Sequence, residues 1–182
     1  MNLFTAKSVP YRLTRTAMGG ALLCLLSPFS IPLAGGVPLT LGSFAAVLIG
    51  LLLGVREGTA SVALYLALGA LGLPVFSGAR GGAGHLFGPT GGFLIGFLLL
   101  TLFSGLFREK KWRFLGVIAG EVLLYLMGTA WFMVSAKADF TRALLACCLP
   151  FLPGDAVKCL LALLIDGVFR RRFGTRKKEV KE

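Results

Sequence analysis

Asp155 and Lys158 stand three residues apart in an otherwise apolar run, and only Glu121 and Asp166 are comparably placed. An ionisable side chain in such a run is costly unless it faces a partner or a cavity. Spacing of i,i+3 puts Asp155 and Lys158 on one face of a helix. Pro153-Gly154 just before them give Asp155 the position of a helix cap or first-turn acid. One reading is a capped helix start paired with a lysine. The other is a ligand cradle, in which Lys158 meets a carboxylate and Asp155 accepts from N–H groups. A ligand with both groups would then satisfy both residues at once. Glu121 follows Gly116-x-x-x-Gly120 and reads as a hydrogen bond to a neighbouring helix or as part of a proton path. Asp166 lies four residues before Arg170, which predicts a surface ion pair.

The stretch from Leu73 to Gly92 is the other unusual feature. Its glycines permit positive φ and close approach of backbone amides to a ligand. It lacks the Gly-x-x-x-x-Gly-Lys of a phosphate-binding loop. Its low charge, prolines and aromatics suit a gating or lid segment better than a flexible connector. Phe76, Arg80, Gly81 and Gly82 are its candidate site residues. Tyr125 and Trp131 add aromatic surface; the default for Trp131 is a place in an interfacial aromatic belt.

Catalysis finds little support. His85 is the single histidine, no Cys-x-x-Cys occurs, and no acids cluster as an enzyme would need. Cys24, Cys147, Cys148 and Cys159 read as small apolar residues.

The elements that must position these residues follow from composition. Of 182 residues, 56% are hydrophobic and 15% charged, with a mean hydropathy of +0.83. That balance predicts a chain solvated by lipid. Six apolar runs predict transmembrane helices near 15–30, 38–55, 58–73, 90–107, 113–133 and 152–168, with a short interfacial helix within 137–150. Arg56-Glu57 is expected to form the tight turn between the second and third. Lys7, Arg12 and Arg15 precede the first run without a clear cleavage site, so it is kept as a helix.

Net charge is +11, yet the basic residues flank apolar runs, which marks topology and anionic-lipid contact rather than nucleic acid. The N-terminus, Arg56, the Arg108–Arg113 segment and the tail from Arg170 carry fifteen of the 19 Lys and Arg. The opposite side carries Arg80, Lys137 and Arg142. The expected protein is an all-α membrane protein, a single domain over 1–182, with six transmembrane helices and both termini cytoplasmic. Connections at 30–37, 74–90 and 134–150 then face outward. Small pairs at i,i+4 (Ala17/Ala21, Gly50/Gly54, Gly92/Gly96, Gly116/Gly120) let helices approach closely. Ala17-Met18-Gly19-Gly20-Ala21 offers a flat face to another membrane protein.

Several blocks resemble a known family. Leu73-Pro74-Val75-Phe76, Arg80-Gly81-Gly82 and Gly88-Pro89-Thr90-Gly91-Gly92-Phe93-Leu94-Ile95-Gly96 are similar to one signature of BioY. That family is the biotin-binding S component of energy-coupling factor (ECF) transporters. Leu149-Pro150-Phe151-Leu152-Pro153-Gly154-Asp155-Ala156-Val157-Lys158 resembles its second signature. Val37-Pro38-Leu39-Thr40-Leu41 and Tyr125-Leu126-Met127-Gly128-Thr129-Ala130-Trp131 extend the likeness over most of the chain. The resemblance implies a six-helix S-component bundle in the bacterial inner membrane, without catalytic activity or a cofactor of its own. It implies biotin as ligand, with Asp155 and Lys158 in its site. It implies as partners a transmembrane coupling subunit and two ATP-hydrolysing subunits, with ATP used only by the latter. Ala17 and Ala21 match the spacing by which S components dock on the coupling subunit. Gly42 departs from the family, many members of which carry Gln there. The alternatives are an S component for another vitamin or small carboxylate, and a membrane scaffold.

Overall fold

The computed structural model describes residues 9–32 and 37–174. Lys7, the tail residues Arg176, Lys177, Lys178 and Lys181, and 33–36 of the first outward connection lie outside the described residues. The described residues are mostly helical, with one small hairpin and a few connecting loops. The order is α1 (Val9–Leu26), β1 (Ser30–Ile31), β2 (Leu39–Thr40), α2 (Gly42–Leu53), α3 (Val55–Ala70), α4 (Ala83–Leu86), α5 (Gly91–Leu106), α6 (Arg113–Ser135), α7 (Phe140–Cys147) and α8 (Leu152–Gly174). Strands β1 and β2 pair antiparallel, Ser30 opposite Thr40.

Several boundaries differ from expectation, each for a local reason. Helix α1 already runs at Val9, so Arg12 and Arg15 lie inside it. Pro10 is tolerated in its first turn, where an N–H has no helical partner anyway. Helix α2 has only 12 residues, about 18 Å, because Leu39 and Thr40 are drawn into the hairpin. The break between α2 and α3 falls at Gly54 (φ 83°), a conformation that favours glycine. Arg56 and Glu57, expected to form that turn, belong to the first turn of α3. Helix α7 falls within the 137–150 segment expected to be interfacial. It meets α8 at a 45° bend, with Pro150 and Pro153 at the break. By length and apolarity one helix, α6, could cross a bilayer among the described residues, and the bent α7–α8 pair could do so as one broken span. Helices α2 and α5 are apolar but shorter.

Helix α2 is apolar on every side and buried along most of its length, as a helix enclosed by others must be. It packs on α1, α3, α5 and α8. Val47, Ile49 and Leu51 join Leu23, Val62, Tyr65, Leu100 and Val117 in the core. Helices α5 and α6 form the closest pair. At Gly96 and Gly120 an added Cβ would come within 3.0 Å of Leu124 or Leu100, so these glycines permit the approach. Two side chains tie helices through backbone carbonyls: Ser61 Oγ donates to Thr16 O at 2.9 Å, and Thr101 Oγ1 to Ala46 O at 3.0 Å.

The last carbonyls of α2 lack helical partners and end within protein. Arg15 donates to Leu52 O at 3.1 Å, and Arg108 donates to the same oxygen at 3.3 Å. Two basic residues expected to mark topology thus also finish a helix. Asp166 corrects another expectation. It pairs with Arg170 at 2.9 Å as the spacing predicts, but its side chain is 1% exposed and also meets Arg113 at 2.8 Å. Its carboxylate is buried because α6 begins directly opposite.

Candidate ligand-binding cavity

Between α2, α5, α6 and α8, beneath the hairpin and the 73–92 loop, lies a cavity enclosing about 540 Å³, its mouth included. Its walls are mostly apolar, with Phe93, Phe97, Leu94, Leu124 and Phe151, and polar groups stand at two places.

The first is built around Asp155. Its backbone N–H donates to Phe151 O at 2.8 Å, so the residue sits inside the first turn of α8 rather than capping it. The side chain is therefore free to turn inward. Oδ1 accepts from Lys158 Nζ at 2.8 Å and from Ser43 Oγ at 3.2 Å; Oδ2 accepts from Tyr125 Oη at 2.6 Å. Lys158 also donates to Thr40 O at 2.6 Å and to Ser43 Oγ at 3.2 Å. All three ammonium protons are committed. Asp155 Oδ2 and the Tyr125 oxygen retain acceptor capacity, so this centre is ready for N–H donors. Asp155 and Lys158 thus form a single polar centre, joined at 2.8 Å.

The second place belongs to the loop: Ser77, His85 and Thr90 line the cavity from above. His85 Nε2 lies 3.5 Å from Thr90 Oγ1, and its ring stacks on Phe76, centroids 5.6 Å apart. Burial, and then the charge of Arg80, lower the His85 pKa below its ordinary value. Its imidazole is accordingly neutral near pH 7.

The loop is anchored. Phe76 is fully buried, edge-on to Tyr65 at 5.4 Å, over Gly69, where any side chain would strike its ring. Phe76 N–H donates to Arg80 O at 2.8 Å, Gly82 N–H to Gly69 O at 2.7 Å and Gly78 N–H to Pro28 O at 3.1 Å. Trp131 Nε1 donates to Gly88 O at 2.9 Å. The tryptophan expected in an interfacial belt is thus half-buried and braces the loop.

Of the expected site residues, Tyr125, Asp155 and Lys158 line the cavity. Phe76, Arg80, Gly81, Gly82 and Trp131 do not. Arg80 is exposed, and Gly81 packs against the Leu73 backbone, with no room for a side chain. Ser43, Thr40, Phe93, Phe97, His85 and Thr90 were missed. Ser43 could have been suspected as the neighbour of Gly42. A Cβ on Gly42 would lie 2.5 Å from Ser27 Oγ and 2.9 Å from the Phe97 ring, so the polar contact from α2 comes from Ser43 instead. Glu121 is buried one turn below Tyr125 and accepts from Cys159 Sγ at 3.3 Å. That contact supports its reading as a helix-to-helix bond. No His, Cys, Asp or Glu group suited to a metal occurs among the described residues.

The chain is similar to several known proteins over most of its length. The model of the BioY family matches residues 2–175. Biotin transporter BioY2 of Lactococcus lactis subsp. cremoris is 38% identical over 159 residues, covering 85% of this chain and 87% of that protein. Biotin transporter BioY of Thermotoga maritima is 39% identical over 159 residues, covering 85% and 92%. A probable biotin transporter BioY of Pyrococcus horikoshii is 43% identical over 131 residues, covering 72% and 79%. The crystal structure of the S component for biotin from an ECF-type ABC transporter superposes with a TM-score of 0.83 at 30% identity. The match covers 92% of this chain and 94% of that one. With the match running through nearly the whole chain, and through every element that builds the cavity, this protein belongs to the BioY family.

Proposed function

We propose that this chain is the substrate-binding subunit of a biotin uptake system, without catalytic activity of its own. The observation that carries the proposal is the pairing of an apolar cavity with a charged centre whose open sites are acceptors. The ureido N–H groups of biotin suit Asp155 Oδ2 and the Tyr125 oxygen. Its thioether ring suits Phe93, Phe97 and Phe151. The valerate carboxylate, at the other end of the ligand, then points toward Ser77, His85 and Thr90 under the loop.

Six spans with both termini cytoplasmic suit this role: α1, α2, α3, α5, α6 and α8, with α2 and α5 shortened by the hairpin and the loop. Arg12, Arg15, Arg56, Arg108, Arg113 and Arg170 lie near the ends of these helices remote from the cavity. There all but Arg56 engage Glu57, Leu52, Glu109 or Asp166, and an excess of basic residues is the mark of a cytoplasmic face. Biotin enters from outside, and an ECF coupling subunit with two ATPase subunits supplies the energy for its release. Ala17 and Ala21 are both exposed on α1, while neighbouring Gly19 packs on Ser61, so the docking stripe is open.

Isothermal titration of the purified chain with biotin tests the proposal, with other vitamins as comparison. Saturable one-to-one binding of biotin, strongly weakened by Lys158→Ala and unaffected by Arg56→Ala, is expected. Equal binding by the two variants, or preference for another vitamin, would sink it.

A further inference from the structure

Helices α6 and α8 make almost no close backbone approach. Three polar rungs join them instead: Tyr125 to Asp155 at 2.6 Å, Cys159 to Glu121 at 3.3 Å, and Arg113 to Asp166 at 2.8 Å. At the basic end, beside the last rung, they leave a cleft enclosing about 710 Å³, its open side included. Leu163, Leu164, Gly167 and Val168 form its wall; Arg113, Arg170 and Arg171 form its rim.

Among the described residues, Arg113 and Arg170 at the rim outnumber their shared acid: Asp166 lies between them, so one buried carboxylate serves two guanidiniums. Glu109 is 3.5 Å from Arg170 and already accepts from Arg108 at 2.7 Å. The exposed Trp112 beside Arg113 sets this end at headgroup depth, where tryptophan concentrates. The wall stays open because Gly167 has no side chain; a Cβ there would meet only Arg113, at 3.5 Å.

We propose that this cleft seats an anionic phospholipid. Its phosphodiester lies on Arg113, Arg170 and Arg171, and one acyl chain runs along Leu163, Leu164 and Val168. Free phosphate has no use for the apolar wall, and a zwitterionic lipid does not match the surplus charge. Basic clefts between helices at a cytoplasmic face favour acidic headgroups on the same grounds.

Native mass spectrometry of the chain from micelles with equal phosphatidylglycerol and phosphatidylcholine, acyl chains matched, tests this. Retention of phosphatidylglycerol is expected to exceed that of phosphatidylcholine by roughly fivefold or more, at about 1 kcal/mol per basic contact. The double substitution Arg170→Gln/Arg171→Gln should bring the ratio near one. So should Gly167→Leu, which fills the cleft without changing charge. Biotin titration checks the fold of each variant, and Leu164→Trp replaces Gly167→Leu if the latter does not fold. Arg56→Gln, elsewhere on the same face, should keep the preference. Parity in the unmodified chain, a preference that survives these variants, or equal loss with Arg56→Gln would overturn the proposal.

Discussion

Tyr125 donates its hydroxyl to Asp155 Oδ2 at 2.6 Å across the gap between α6 and α8, and it is the neutral hydrogen-bond partner most open to exchange with a ligand. Tyr125→Phe should leave the fold intact and weaken biotin binding by about tenfold or more. A hydrogen bond to a charged group contributes about 1.5–3 kcal/mol. Titration calorimetry on both forms measures the difference; unchanged affinity would place the ligand elsewhere.

Asp155 and Lys158 sit 2.8 Å apart, both largely buried. Removing one leaves the other charge uncompensated, at a cost of about 3–5 kcal/mol. Lys158→Met and Asp155→Asn should each lower the melting temperature more than the double variant does. All three should lose biotin binding. A thermal-melt cycle in detergent reads the coupling; strict additivity would deny it.

Trp131 Nε1 holds Gly88 O at 2.9 Å. Trp131→Phe keeps the ring and loses the donor. Amide exchange in residues 83–90 should speed up, while exchange in α6 stays as it was. Biotin binding should weaken about threefold to tenfold, for one lost hydrogen bond near 1 kcal/mol.

His85 should make the loop acid-sensitive. Its folded pKa lies below the ordinary value, so the unfolded or open loop binds protons first. Stability is then complete above about pH 6.5, the unperturbed value, and falls as the pH drops through it. Protection of the loop, read by amide exchange in residues 83–90 from pH 7.5 to 5, should decline on the acid side, and His85→Asn should flatten that decline.

Substituting Ala17 and Ala21 together with leucine should leave biotin affinity unchanged, since both side chains are exposed on α1 away from the cavity. The same change should abolish co-purification with the coupling subunit. Retained co-purification would move the docking surface elsewhere.

Much of this architecture is legible in the chain, and the exceptions have physical causes. Apolar run length locates the helices, because the bilayer and the core demand the same residues. It does not locate the start of α2, where two hairpin strands remove residues that pattern alone would assign to the helix. Spacing places Asp155 and Lys158 on one face. It does not tell whether their charges meet, and at 2.8 Å they do. Ser43 and Phe97 are invisible to motif reading, since a serine and a phenylalanine in an apolar run carry no signal until tertiary packing brings α2, α5 and α8 together. Asp166 reads as an ordinary i,i+4 surface pair because a sequence does not display the opposing Arg113.

Arg15 and Arg108 close the end of α2 by donating to Leu52 O. The residues proposed to hold one end of the bundle to the cytoplasm also complete its most enclosed helix. Moving positive charge from this face to the other would therefore leave α2 unfinished as well as mistaking sides. In such a chain a substitution at either arginine alters a topology signal and the end of an interior helix together.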